Sequence, residues 1–180
     1  MAAKQTWTAY YPAVSFTGLD PPKNMAAVLN AHAAEVLRIR RVGIDNAYTT
    51  AVTGNLRLLE LRRYTGATLV GSTAVTPTPH VTANVAPAAA TYGYAGAVGG
   101  VAELLRSVLW SCEEPAYQNL RWEELETFVP LNIIWDAGYG EHSVQPLALR
   151  QDEMICLYLT FAVGAPGSGF LDTWIEFTKE

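Results

Sequence analysis

Charge is what this chain has least of. Asp, Glu, Lys and Arg make up 16% of its 180 residues, against about 25% in an average soluble domain. Between Arg63 and Glu103 there is no charged residue at all. Such a low charge density suits a surface partly covered by partners, and an ordinary all-β domain explains it nearly as well. The net charge of −5 disfavours a nucleic-acid partner, because phosphate binding needs a basic footprint. Cysteine is scarce too. Cys112 and Cys156 sit in apolar, strand-like runs and read as buried free thiols, since the spacing of a disulfide framework or a metal site is lacking. No apolar run reaches about 18 residues, so no helical membrane span is expected. The stretch from Met1 to Trp7 lacks the charged and apolar regions of a signal peptide.

Motifs that carry chemistry are also missing. Histidine is limited to His32, His80 and His142. His32 beside Glu35 has no second histidine within a turn, so no metal site is expected. Glu141-His142-Ser143 places a base next to a hydroxyl, but neighbours in a strand point to opposite faces. No Gly-x-Ser-x-Gly elbow occurs. Glu113-Glu114 and Glu123-Glu124-Glu126 could pair carboxylates for glycoside hydrolysis, yet nothing apolar is arranged around them to raise one pKa, and a solvated acidic loop is the simpler reading. Gly93 to Gly100 is not followed by Lys or Ser/Thr in phosphate-loop register. No catalytic residue and no cofactor is expected, and the chain reads as non-enzymatic.

What is present is period-two alternation. From Glu153 to Val163, residues Ile155, Leu157, Leu159, Phe161 and Val163 share one face. After Gly164 to Gly169, residues Leu171, Thr173, Ile175 and Phe177 share another. Two such runs around a Gly/Pro turn predict an antiparallel pair, with an apolar face that needs a second layer. Further strands are expected at 36–44 (Leu37 and Ile39 against Arg38 and Arg40), at 56–64, at 128–135 and at 145–150. In 56–64 the alternation slips at Leu58-Leu59, which fits a β-bulge or a middle buried on both faces. Residues 25–34 are rich in alanine, which favours helix, and read here as a strand and turn. Residues 101–110 fit helix or strand, and their β neighbours favour strand. About eight strands in one domain predict an antiparallel β-sandwich, jelly-roll-like.

Two segments stand apart. Residues 1–24 carry Trp7, Tyr10, Tyr11 and Phe16 among prolines that break a helix, and read as an extended N-terminal arm preceding the sandwich domain at 25–180. The uncharged span 65–102 reads as a long loop or insertion lying on a protein surface, or else as short strands with a glycine turn. Interface candidates follow from both. In the arm they are Trp7, Tyr10, Tyr11 and Phe16, since buried aromatics dominate interface energetics. In the span they are Pro77, Pro79, His80, Tyr92 and Tyr94: proline limits the conformations lost on docking, and tyrosine buries a ring while keeping its hydroxyl bonded. Nine of the twelve basic residues are arginine. Arg38, Arg40, Arg57, Arg62 and Arg63 form a positive set on two neighbouring strands and can hold fixed contacts across strands with Glu60 and other carboxylates, or with an acidic patch on a partner.

Two stretches carry a resemblance. Leu59 to Arg63 with Gly71 to His80, and Ile134 to Gly140 with Pro146, Leu149-Arg150 and Ile175 to Thr178, resemble a pattern in small virion-associated proteins of tailed bacteriophages. They cover under half of the chain, and residues 81–127 lie outside the resemblance. It implies a jelly-roll capsid decoration (cement) protein, made in the host cytoplasm and seated on the capsid surface of the virion. Its partners would be major capsid protein subunits and other copies of itself, as a dimer or trimer. The alternative is a carbohydrate-binding β-sandwich of a phage tail or receptor-binding module, stacking sugars on exposed Trp and Tyr.

Overall fold

The computed structural model describes residues 5–16, 22–46, 55–87, 89–112, 133–137, 147–160 and 169–180. They form β1 Thr6–Phe16, β2 Lys23–Asn30, β3 Leu37–Asn46, β4 Asn55–Val70, β5 Thr73–Ala74, β6 Thr78–Pro79, β7 Ala90–Tyr94, β8 Ala97–Cys112, β9 Ile133–Asp136, β10 Leu147–Leu149, β11 Glu153–Thr160 and β12 Gly169–Lys179. Two antiparallel sheets pack face to face as a β-sandwich. Sheet A runs β10-β3-β12-β1-β6, with β9 also on the outer edge of β3. Sheet B runs β5-β7-β2-β11-β4-β8.

The pairing is nested. β1 pairs with β12, β2 with β11, β3 with β9 and β10, and β4 with β8. Successive pairs go to alternate sheets. The chain is therefore one long hairpin wrapped around a core, the jelly-roll arrangement.

One expectation needs correction here. β11 and β12 do not pair with each other; they lie in opposite sheets. Alternation shows which face of a strand is buried, not which strand it bonds. The faces were read correctly: Ile155 and Leu157 on β11 and Leu171, Ile175 and Phe177 on β12 are all fully buried. Each strand is part of the layer that covers the other. The same wrapping separates the two arginine-bearing strands, since β3 is in sheet A and β4 in sheet B. At Leu58-Leu59 the β4–β11 register runs on without a shift, so that slip is not a bulge in this pairing.

Side chains tie the layers together. Tyr11 donates its hydroxyl to the Ala27 carbonyl across the core at 2.7 Å, and Thr173 donates to the Met25 carbonyl at 3.2 Å. Asn30 Nδ2 donates to the Leu149 carbonyl at 2.9 Å. Buried polar groups matched in this way avoid a desolvation cost of about 1–3 kcal/mol each.

The N-terminal stretch is not a free arm. β1 lies inside sheet A between β12 and β6, and Trp7, Tyr11 and Phe16 are at most 1% exposed. Its prolines break helix but permit strand, and Pro12 sits at the irregularity between Tyr11 and Val14.

The uncharged span is likewise built into the domain. β7 extends sheet B beyond β2, β5 extends it beyond β7, and β6 caps the β1 edge of sheet A. Trp7 stacks on Phe177 at 5.8 Å, and Tyr92 stacks on Phe177 at 5.4 Å. Tyr11 meets Tyr94 edge-on at 6.3 Å. The two aromatic-rich segments that each called for a partner are packed against the same core.

The β4–β8 ribbon then does something alternation cannot reveal. Its register breaks between Thr65 and Thr68, where Gly66 (φ +57°) and Gly100 (φ +113°) take left-handed conformations. Beyond that bend, Ala67, Leu69 and Val98 pack on Ala27, Tyr64, Met154 and Cys156, side chains on the outer face of sheet B. Ala67 N–H donates to the Asp152 carbonyl at 2.8 Å and pins the fold-back to the β10–β11 turn. Sheet B is thus covered on both faces where Ala27, Tyr64, Met154 and Cys156 lie.

Several expected features fall outside the described residues: the strand portion 128–132, the acidic stretch 113–126, Glu141-His142-Ser143, and the end of the long alternating run with its glycine turn, 161–168.

Candidate functional site

The outer face of sheet A has no such cover among the described residues. Along β12, inward Leu171, Thr173, Ile175 and Phe177 leave Phe170, Asp172, Trp174 and Glu176 outward. Register lines them up with their neighbours. Tyr10 on β1, Trp174 on β12, Gly43 on β3 and Ile133 on β9 form one row across four strands. Thr8, Glu176, Arg41 and Asp136 form the next row.

Gly43 explains how the first row is shaped. A Cβ built there would lie 2.1–2.6 Å from three atoms of the Trp174 indole. The indole therefore lies down over the bare backbone of β3 instead of standing up. Tyr10 and Phe170 are each 46% exposed and Ile133 is 38% exposed, so the face carries an aromatic and aliphatic strip.

Asp172 braces the edge of the strip. Its Oδ2 accepts the Tyr10 hydroxyl at 2.5 Å, and its Oδ1 accepts the Ala13 N–H at 2.6 Å. This second bond holds the turn at Ala13, which has φ +44°. The Tyr10 hydroxyl is pushed up to about 12, chiefly by its bond to Asp172, then by partial burial and by the negative charges of Asp172 and Asp45. Asp45 stands directly opposite Asp172 across the β12–β3 ladder and is exposed. Two cations of the face are matched within the domain: Arg41 bonds Asp136 at 3.1 Å, and Arg38 pairs with Glu180. On sheet B, Arg62 pairs with Glu60 and lies over the Tyr158 ring, and Arg63 pairs with Glu103.

The expected interface residues divide. Trp7, Tyr11, Phe16, Pro77 and Tyr92 are buried in the domain itself and cannot anchor a partner from these positions. Pro79 and Tyr94 are half-buried, while Tyr10 and His80 are exposed. His80 is engaged with Thr8 Oγ1 at 2.8 Å. His32 closes a local turn, its Nδ1 accepting the N–H groups of Ala34 and Glu35. Of the expected set, only Tyr10 belongs to the outer strip of sheet A. Period two puts Trp174 on the face opposite Leu171, Thr173, Ile175 and Phe177, but nothing in that pattern singled it out. The missed signal was Gly43 between Val42 and Ile44, a glycine inside a β-branched strand, which marks close approach by another group.

This face can stack a planar or apolar group on the indole and bond polar groups through outward carboxylates. Among the described residues, no three of His, Cys, Asp and Glu converge to hold a metal ion. No family model, curated protein or solved structure matches the chain.

Proposed function

We propose that this protein is a non-enzymatic virion structural protein, a decoration or cement protein that seats on capsid subunits through the outer face of sheet A. One observation carries the reading. The two outer faces are treated differently: the chain's own ribbon covers sheet B over Ala27, Tyr64, Met154 and Cys156, while sheet A leaves Tyr10, Ile133 and Phe170 exposed around a half-buried Trp174. Rigid aromatics on a flat sheet supply interface area at low entropic cost. Arg41 and Arg38 are already matched within the domain, which limits the cost of desolvating them.

Self-association as a dimer or trimer belongs to the same proposal. Among the described residues no strand pairs with the outer edge of the 16-residue β8, and Val101 and Leu104 on it are 74% and 56% exposed. Long edge strands with apolar side chains are templates for pairing.

The test is co-sedimentation with phage heads that lack the protein. Trp174→Ala and Tyr10→Ala should each weaken retention by at least about tenfold while the protein stays folded. Retention unchanged in both variants would remove the face from the interface.

A second reading rests on the same indole. Trp174 lying flat is a platform on which a sugar ring could stack, with Asp45 and Glu176 nearby to accept hydroxyls. A glycan array separates the two: saturable sugar binding abolished by Trp174→Ala favours the carbohydrate module.

A further inference from the structure

The aromatic strip on sheet A has an acidic end. Asp45 on β3 stands directly opposite Asp172 on β12, two residues along each strand from the Gly43–Trp174 pair. Like charges set opposite each other on antiparallel strands destabilise a sheet. Among the described residues neither carboxylate has an ion-pair partner. Asp172 is engaged within the fold by the Tyr10 hydroxyl and the Ala13 N–H. Asp45 is exposed and forms no hydrogen bond or ion pair among the described residues. The Tyr10 hydroxyl, raised first by its bond to Asp172 and by partial burial, is raised further by both carboxylate charges. The other end of the strip differs, because there Glu176 stands opposite Arg41, with Arg40 beside it in the chain.

The indole next to Asp45 has one face to spare. It lies on the bare backbone of Gly43 and is half-buried. Among the described residues no ring and no cation stacks on it. An indole face is electron-rich and attracts a cation. Asp45 offers an unmatched carboxylate two residues from Gly43, roughly 7 Å along the strand. The two features ask for the same charge at neighbouring points.

Shape then narrows the choice. A lysine ammonium is a compact, strongly hydrated point that would satisfy the carboxylate without covering the ring. A guanidinium is planar and weakly hydrated, stacks on aromatic faces and carries N–H bonds along its edge. A neutral sugar would cover the ring but leave the Asp45–Asp172 repulsion in place.

We propose that an arginine side chain of the docked protein surface occupies this place, its guanidinium stacked on the free face of the Trp174 indole and its edge N–H groups donated to Asp45. The inference rests on the reading of this face as the docking interface and adds what the opposing surface must present to it.

The probe is the blocked peptide acetyl-Gly-Arg-Gly-amide, with its lysine and citrulline counterparts and methyl glucoside as comparisons. Each is titrated into full-length, isotope-labelled protein, following the Trp174 indole N–H and the Gly43 and Asp45 backbone amides by NMR. The arginine peptide should give saturable shifts at about tens of millimolar, with the lysine and citrulline peptides at least about threefold weaker. Asp45→Asn should weaken the arginine peptide by about threefold, and Trp174→Ala should abolish its saturable shift at the Asp45 amide. Asp45→Asn removes one of two opposed charges, so it should melt no lower than wild type; a loss of binding without a loss of stability separates a contact from a structural role. The proposal is overturned if the arginine peptide does not saturate, if lysine or citrulline binds as well, or if Asp45→Asn leaves the arginine affinity unchanged. Saturation by methyl glucoside without saturation by the arginine peptide overturns it in favour of a sugar. Phage heads lacking the protein distinguish this inference from the reading beneath it. Asp45→Lys should lower retention by at least about tenfold, as Trp174→Ala does. Retention lost in Trp174→Ala but kept in Asp45→Lys leaves the docking face standing and overturns the arginine. Selective arginine binding with retention unchanged in both variants supports the arginine site and removes the capsid as its partner.

Discussion

Gly43 and Trp174 act as one unit. A methyl at position 43 would fall inside the indole, 2.1 Å from its nearest atom, so Gly43→Ala must expel the ring or move the strand. Overpacking of this kind costs about 1–3 kcal/mol, and the displaced indole should change its fluorescence. Chemical denaturation combined with emission spectra would check both; unchanged emission would mean that the ring does not lie on Gly43. Tyr10 gives a pH-dependent counterpart. A phenol in the unfolded chain titrates near 10, while this one is raised to about 12. The protonated form is therefore the one favoured by the fold. Its contribution is complete below pH 10 and disappears as pH rises through about 12. Tyr10→Phe should lower stability by about 0.5–1 kcal/mol at pH 8, a modest value because the pair is exposed, and the difference from wild type should shrink by pH 11. A gap that persists or widens at pH 11 would contradict the assignment to Asp172.

At the scale of elements, the bend in the β4–β8 ribbon rests on Gly100. It has φ +113°, and a Cβ there would come within 2.7 Å of the Thr65 carbonyl oxygen. Gly100→Ala combines strain with a backbone clash, worth roughly 1–3 kcal/mol, and should loosen the ribbon from sheet B before the core yields. Cys156, now at 0% exposure, reports on that loosening. In a Cys112→Ser background its reaction rate with a thiol reagent should rise in Gly100→Ala while the near-UV circular dichroism stays native. An unchanged rate would show that the ribbon does not guard the thiol. This element also marks the limit of reading from sequence. The inward faces of β3, β11 and β12 were legible because period two maps directly onto burial. Cys156 was read from its apolar run as a buried thiol and is one, but the outward burial of Met154 and Tyr64 was not legible, because their cover comes from residues far along the chain. The uncharged span between Arg63 and Glu103 was read first as a loop laid on a protein surface, but it forms strands of the domain's own sheets, as the alternative of short strands had it.

At the scale of the whole molecule, nested pairing makes the first strand part of the last. β1 bonds β12 from Thr6↔Thr178 to Phe16↔Gly169, so removing it leaves β12 unpaired along one side and strips β6 of its partner. Sequence reading took the opposite view, since a run of aromatics among prolines gives no hint of which strand it will join. The pattern named the anchors but could not say whether they were inside or out. Magnitudes now decide the outcome. Truncating a buried aromatic to alanine costs about 3–5 kcal/mol. β1 supplies three, Trp7, Tyr11 and Phe16, in addition to Ala9 and Val14, all at most 1% exposed. Their sum approaches or exceeds the whole stability of an ordinary domain, about 5–15 kcal/mol. A chain lacking residues 1–18 should therefore lose its cooperative thermal transition and its near-UV circular dichroism. Trp7→Ala by itself should fold but melt at a markedly lower temperature, because it also unstacks Phe177 from one side. If the truncated chain instead melts cooperatively near the wild-type temperature, β1 is dispensable to the core and the aromatic stretch returns as an arm free to reach a partner.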